Sequence, residues 1–148
     1  MSRNAFTMIE LIFVIVIVGI LAAVAIPKLA ATRDDARISI IAHETMTAAW
    51  EVASYATARG QTSSTISAMS NSAEALIKSH DAIQNGTTLK IDAIDVNNCI
   101  ELKIENQGHN TETLKIIFIS SGGACDRLQS LIDASVFPIP LHGNLISY

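Results

Sequence analysis

A single carboxylate, that of Glu10, stands before a long apolar run near the start of this chain of 148 residues. The run covers residues 11–26 without interruption and is followed by Pro27 and Lys28. A carboxylate at the edge of a lipid-soluble helix costs on the order of 3 kcal/mol to insert. Glu10 is therefore expected to have a positively charged partner.

The residues around Glu10 follow a definite order. Arg3 lies in a short basic leader, Ala5 is a small residue, and Phe6 stands four positions before Glu10. Together with the apolar run and Pro27, this opening closely resembles the cleavage and methylation signal of the type IV pilin and type II secretion pseudopilin superfamily. Glycine is usual where this chain has Ala5, which is the one departure from the pattern.

The resemblance implies a defined processing of this opening. A prepilin peptidase would cut between Ala5 and Phe6, and the new amine of Phe6 would be N-methylated, which keeps its positive charge. That amine and the Glu10 carboxylate would attract each other by roughly 4 kcal/mol at about 4 Å and an effective dielectric constant of about 20. In the family the pair forms between neighbouring subunits and sets their axial stagger. Pairing within one chain is the alternative, because positions i and i+4 share a helix face.

The apolar run also predicts a membrane span. It is slightly shorter than the ~20 residues that a bilayer core requires, and residues 6–31 together provide the length. Arg3 favours a cytoplasmic N-terminus. We expect residues 6–31 to cross the inner membrane in contact with lipid, and the remainder of the chain to lie outside the cytoplasm, in the periplasm or in an extracellular filament.

Two other interpretations of this segment stay open. A conventional secretory signal has a basic start, an apolar middle and an A-x-A site, which Ala23, Val24 and Ala25 provide. Cleavage there would leave a product that begins at Ile26, a secreted or anchored periplasmic binding module. A plain single-pass anchor is the other interpretation. A conventional apolar region is not expected to open with Glu10, which favours the pilin-like interpretation.

Gly19 and Pro27 mark a weak section of the predicted helix. Proline removes a backbone donor and opposes the preceding turn, and glycine lowers helix propensity by about 1 kcal/mol relative to alanine. We expect helix flexibility between these two residues, since this region can straighten or melt in filaments of the family. Membrane helices also tolerate both residues without such a role.

Beyond Pro27 the sequence predicts an amphipathic helix that ends at Gly60. Its apolar positions recur three or four residues apart: Ile38, Ile41, Thr45, Ala48, Val52 and Tyr55. Trp50 is expected in the core of the following domain. Short helices are predicted at residues 73–84, with Asn71 as the cap, and at residues 126–133. Strands are predicted at residues 88–96, 99–105 and 111–120, with a turn at residues 107–110, and regular structure is expected to end at residues 137–140.

These elements predict an α+β fold of the pilin type, in which a long N-terminal helix packs on a small antiparallel sheet. The predicted organisation is a leader at residues 1–5, a membrane and filament-core helix at 6–31, an amphipathic half at 32–60 and a head domain at 61–148. A length of 148 residues fits one domain and a long helix.

Cys99 and Cys125 are the two cysteines of the chain. In an oxidising compartment such a pair favours a disulfide over a metal site, because two thiols without adjacent histidines are a poor ligand set. The bond would stabilise by roughly 3.5 kcal/mol in the chain-entropy model. Two free buried thiols are the alternative.

Residues that suggest catalysis or cofactor binding are few. The four histidines are scattered, and no H-E-x-x-H, C-x-x-C, G-x-S-x-G or phosphate-loop motif occurs. Asp92, Asp95, Asn97 and Asn98 offer oxygen ligands, but their spacing is not that of a calcium loop. The formal charge is −4, and the lysines and arginines form no basic stripe, so nucleic-acid binding is not indicated. We expect no enzymatic activity, no cofactor and no metal.

The predicted function is that of a structural subunit of a type IV pilus or a type II secretion pseudopilus. The resemblance implies copies of the same chain or sibling pilins as its main partners. It also implies processing by the prepilin peptidase and polymerisation by a cytoplasmic ATPase through an inner-membrane platform protein.

Overall fold

The computed structural model describes residues 7–106 and 112–142. The elements are, in order, α1 (Met8–Arg59), α2 (Asn71–Lys78), β1 (Ala82–Asn85), β2 (Thr88–Ala93), β3 (Val96–Asn106), β4 (Glu112–Phe118), α3 (Ala124–Ser130), a 3-10 turn (Ala134–Val136) and β5 (Ile139–Pro140). The chain divides into two compact units, of which the first ends at Ala36 and the second begins at Arg37.

Helix α1 begins directly after Thr7 and contains both Gly19 and Pro27 in its interior. It ends at Arg59, where Gly60 takes a left-handed backbone conformation with φ of 66°. The Gly60 N–H donates to the Ala56 carbonyl at 2.8 Å. A left-handed residue is the usual way to stop a helix and favours glycine, so the predicted stop at Gly60 is confirmed.

In the first unit, the apolar side chains of α1 are exposed. Among the residues that the structure describes, α1 is the one helix that is long and apolar enough to cross a membrane. The exposed large apolar side chains of this part of α1 include Leu11, Ile12, Phe13, Val14, Ile15, Val16, Val18 and Ile20. A helix that is apolar on every face requires lipid or other protein around it.

The second unit contains an antiparallel sheet with the strand order β1-β2-β3-β4-β5. Each strand pairs with its neighbour in sequence, and β1 and β2 form a hairpin through Gly86, whose φ is 57°. In β3, Ile100, Leu102 and Ile104 are buried and alternate with charged residues. The predicted one-sided strand is thereby confirmed.

One hydrophobic core joins the sheet to the second part of α1 and to α2 and α3. The buried residues of α1 are Ile38, Ile41, Ala42, Thr45, Ala48, Ala49, Val52 and Ala56. They recur at three- and four-residue spacing, which places them on one face of the helix. Burial of each large aliphatic side chain contributes about 1.5–3 kcal/mol. The predicted α+β fold, with a long N-terminal helix on a small antiparallel sheet, is confirmed.

The segment after α1 differs from the prediction. Helix α2 ends at Lys78, not at residue 84, and residues 82–85 form strand β1. Asn85 pairs with Thr88 across Gly86, so hairpin formation with β2 competes with extension of the helix. The cap is Ser70, whose Oγ accepts from the Ala73 N–H at 2.9 Å, one residue before the predicted Asn71.

One further expectation is wrong, and another holds with shifted bounds. Trp50 is 52% exposed and lies off the buried face of α1. The last helix covers Ala124–Ser130 and therefore starts and ends earlier than residues 126–133. Within the described residues, regular structure ends at residues 139–140 as expected, but these two residues themselves form strand β5, in which Ile139 pairs with Leu114 of β4. The predicted turn at residues 107–110 lies outside the described residues.

Candidate functional site

Glu10 lies in the first turn of α1, and its carboxylate contacts Thr7. Its Oε2 accepts hydrogen bonds from the Thr7 backbone N–H and from the Thr7 Oγ1, each at 2.8 Å. In return, the Glu10 N–H donates to the Thr7 Oγ1 at 3.4 Å. A threonine and a glutamate three residues later, bonded in this reciprocal manner, form a capping box.

The capping box explains why α1 begins where it does. Thr7 supplies an acceptor to one of the helix N–H groups that lack an intrahelical partner, and Glu10 supplies an acceptor to the Thr7 N–H. The carboxylate also lies in the first turn, where a negative charge complements the helix dipole. The local order Thr-x-x-Glu is a sequence signal for this arrangement, which our sequence analysis missed.

The predicted partner of Glu10 lies outside the part of the chain that the structure describes, as do Ala5 and Phe6. The described geometry nevertheless limits what the carboxylate can do. Both hydrogen bonds from Thr7 go to Oε2. A carboxylate has about four lone-pair sites, so a cationic amine can be bound in addition to Thr7. Recognition of such an amine is the chemistry that this arrangement favours.

Gly19 and Pro27 both lie within a continuous helix. Apart from the adjacent residues and the nearby backbone of its own helix, a Cβ added at Gly19 would meet no atom of the described residues within 4 Å. Packing within the described chain therefore does not require glycine at position 19. The glycine leaves space for the close approach of a neighbouring helix. The expected flexibility of the section between the two residues stays a prediction.

Cys99 of β3 and Cys125 of α3 form a disulfide, with 5.5 Å between their Cα atoms. Both residues are fully buried. Beside the bond, the Gln129 Nε2 donates to the carbonyl of Cys99 at 3.2 Å and to the carbonyl of Ser120 at 2.7 Å. The disulfide and this amide together fasten α3 to the end of the sheet.

The oxygen-rich segment between β2 and β3 forms a turn. The Asn98 N–H donates to the Asp92 Oδ1 at 2.6 Å, and Asp95 and Asn98 both have positive φ. One carboxylate of the segment is thus used to close the turn. Within the described ranges, no group of three or more histidine, cysteine, aspartate or glutamate residues is placed to bind a metal ion.

A polar contact that the sequence did not indicate joins α1 to the start of α2. The Oε2 of Glu51 accepts from the Ser70 Oγ at 2.6 Å and from the Ser72 N–H at 3.0 Å. Partial burial opposes ionisation of Glu51, but these hydrogen bonds outweigh it and hold the pKa of that carboxyl below its ordinary value. Glu51 thus stays anionic at neutral pH beside the exposed Trp50.

Comparison with protein families gives one finding for the N-terminal part. Residues 1–26 match the model of the prokaryotic N-terminal methylation motif, the prepilin-type signal of type IV pilins and pseudopilins. The match includes Glu10 and ends just before Pro27. A search of the curated proteins and of the solved structures finds no match to the chain. The chain therefore carries the signal of a prepilin peptidase substrate with an apolar N-terminal helix, which fits a membrane-anchored pilin-like protein.

Proposed function

We propose that this chain is a structural subunit of a type IV pilus or a type II secretion pseudopilus, polymerised into a helical filament. The observation that carries the proposal is the position of Glu10. Its carboxylate stands within the matched signal, at the start of a helix whose apolar side chains are exposed. Such a helix needs an apolar environment on all sides, and lipid before assembly and the filament core after assembly both provide one.

The proposed maturation begins with cleavage between Ala5 and Phe6 by the prepilin peptidase and N-methylation of Phe6. The cleaved chain has a cationic N-terminus four residues before Glu10. In the filament, the Glu10 carboxylate of an incoming subunit binds the Phe6 amine of a neighbour. Because the bond joins different positions on two copies, it repeats along the stack and builds an open filament.

The proposed topology follows the domain organisation predicted from the sequence. Residues 6–31 span the inner membrane with the N-terminus in the cytoplasm, and residues 32–60 lead to a head at residues 61–148 in the periplasm. A cytoplasmic ATPase and a platform protein of the inner membrane drive the subunit out of the membrane. The buried disulfide between Cys99 and Cys125 suits a head outside the cytoplasm.

The N-terminus of the mature chain tests this proposal. The full chain is produced in a bacterial host with an active prepilin peptidase and in the same host without it, and both products are analysed by mass spectrometry. The proposal expects N-methylated Phe6 as the first residue in the first host and Met1 in the second. A product that begins at Ile26 would identify a secretory signal instead, and Met1 in both hosts would identify a plain anchor.

Filament formation is tested separately. Surface filaments are sheared from cells that express the chain, and their subunits are identified and counted. We expect this chain in the filaments of the host with the peptidase only. Processed chain that is found only as a monomer, in neither sheared surface filaments nor periplasmic assemblies, would contradict the structural role, even with a methylated Phe6.

A further inference from the structure

A groove lies between the second part of α1 and the segment that precedes α2. Trp50, Glu51 and Tyr55 are among the residues on its α1 side, and residues 67–71 line the other side. The groove encloses about 610 Å³, which is within the size range of ligand sites. We refer to it as the Trp50 groove.

The Trp50 groove contains an exposed aromatic side chain. Trp50, the single tryptophan of the chain, is 52% exposed. One face of the Tyr55 ring is already occupied, since the Arg59 guanidinium lies 4.8 Å from the centre of the ring. Tryptophan is among the residues that are enriched in protein interfaces.

The negative charge of the Trp50 groove favours a positively charged partner. Glu51 is the one charged residue among those that line it, and its hydrogen bonds with Ser70 and Ser72 hold the carboxylate in place. A carboxylate and an exposed indole that line one groove are together complementary to a cation, because the indole ring attracts cations more strongly than other aromatic side chains do. A guanidinium both stacks on an aromatic ring and pairs with a carboxylate.

Most of the lysine and arginine side chains in the described part of the chain have a contact. In the described part of the chain, seven of the lysine and arginine side chains have a contact: Arg37, Arg59, Lys78, Lys90, Lys103, Lys115 and Arg127. The structure gives no side-chain contact for Lys28 or Arg33 within the described residues. Lys28 lies within residues 6–31, the proposed membrane segment, which leaves Arg33 as the guanidinium available to a partner outside it.

We propose that the Trp50 groove of one copy binds the Arg33 side chain of a second copy. This inference rests on the proposed filament. An open filament needs two different, complementary patches on one chain, so that each copy offers one patch to the copy before it and the other to the copy after it. The groove and Arg33 are such patches. Through this contact the guanidinium stacks on Trp50 and pairs with Glu51, and it adds a second register point to the one at Glu10.

Chemical cross-linking in mixed filaments tests the contact. Two single variants of the full chain, Trp50→Cys and Arg33→Cys, are expressed together, and their sheared filaments are treated with a short bis-maleimide. Cys99 and Cys125 are buried and disulfide-bonded, so they do not react. We expect at least about tenfold more cross-linked dimer than with Trp50→Cys and Lys78→Cys, because the rest of the filament, with Glu51 unchanged, still holds positions 33 and 50 of neighbouring copies close together and gives the two thiols a high effective concentration.

Fluorescence of unmodified Trp50 provides a second measurement with milder variants. Acrylamide quenching of wild-type filaments is compared with that of Arg33→Gln and Lys78→Gln filaments. We expect Trp50 to be shielded in the wild type and in Lys78→Gln, and the shielding to be lost in Arg33→Gln.

The possible outcomes separate the two proposals. Filaments that form but show neither the cross-link nor an effect of Arg33→Gln would overturn this inference and leave the filament subunit intact. If the processed wild-type chain forms no filaments, the proposed function fails, and this inference fails with it.

Discussion

The carboxylate of Glu10 accepts two hydrogen bonds of 2.8 Å from Thr7, one from the backbone N–H and one from the hydroxyl. The single chain therefore provides its own hydrogen-bond donors for the acidic side chain in the first turn of α1, the proposed membrane helix. A charged group that is hydrogen-bonded is less costly to place near lipid than a bare one. The hydrogen bonds from Thr7 therefore lower the free-energy cost of placing the Glu10 carboxylate near lipid before the amine of a neighbouring copy is available.

The first prediction concerns the charge of Glu10. In Glu10→Ala the insertion penalty of the carboxylate disappears, so the amount of chain in the membrane is expected to be unchanged. Filament incorporation is expected to fall at least about tenfold, since an attraction of roughly 4 kcal/mol to the Phe6 amine is lost. Quantitative immunoblots of membrane and sheared filament fractions measure both quantities. If Glu10→Ala formed filaments in wild-type amounts, the charge pair between Glu10 and the Phe6 amine would not be needed for assembly.

The second prediction separates the cap from the charge. Thr7→Val has nearly the same volume but lacks the hydroxyl, and loss of a threonine N-cap costs about 1 kcal/mol. The Glu10 carboxylate and the backbone N–H of residue 7 remain, so filament incorporation is expected to fall less than in Glu10→Ala. Thr7→Ser restores the hydroxyl and serves as the control. An effect of Thr7→Val as large as that of Glu10→Ala would mean that the hydroxyl itself binds the neighbour.

The third prediction uses two adjacent isoleucines of α1. Ile41 is 1% exposed in the core, whereas Ile40 is 61% exposed. Ile41→Ala is expected to lower the free energy of unfolding by about 2–5 kcal/mol, and Ile40→Ala by less than about 0.5 kcal/mol. Urea unfolding of the full chain in detergent micelles, followed by Trp50 fluorescence, gives both values. Equal losses would show that α1 does not pack on the sheet by this face.

The fourth prediction concerns the disulfide between Cys99 and Cys125. Because it closes a loop with a sequence separation of 26, its removal in a double Cys→Ala variant is expected to cost roughly 3.5 kcal/mol. The loss should appear in the same urea unfolding experiment. Under reducing conditions, the free energy of unfolding of the wild-type chain is expected to approach that of the variant. A loss below about 1 kcal/mol would show that Gln129 and the core hold α3 without the bond.

The sequence was sufficient where local pattern determines structure. The apolar run, the three- and four-residue spacing in α1 and the glycine after Arg59 are local signals, and each predicted its element. The exposure of Trp50 was also predictable from spacing. It follows Ala48 and Ala49, which lie on the buried stripe, and a helix turns by about 100° per residue, so Trp50 falls off that stripe. The large side chain of Trp50 favours a core position, but its position around the helix places it outside the buried face.

Other features depend on residues distant in the chain. Residues 82–85 show no strong alternation, and they become a strand because β2 lies across Gly86 to pair with them. The contact of Glu51 with Ser70 spans 19 residues and exists only after α2 docks on α1. Neither propensity nor spacing carries that information, so the Trp50 groove could not be predicted from the sequence.

The last prediction follows from that contact. The hydrogen bonds to Glu51 lower its pKa in the folded chain below its value in the unfolded chain. The stability that they contribute is therefore fully present above the unfolded pKa of about 4.5 and is lost as the pH falls through the lower, folded pKa.

Glu51→Gln keeps an acceptor for Ser70 and Ser72 but removes the charge. At pH 7 it is expected to cost about 1 kcal/mol, because a bond to a charged acceptor is stronger than one to a neutral acceptor. At pH 3 the free energies of unfolding of the variant and the wild type, measured with urea, are expected to be closer than at pH 7. A difference that stays constant between pH 7 and pH 3 would mean that Glu51 acts through its shape alone.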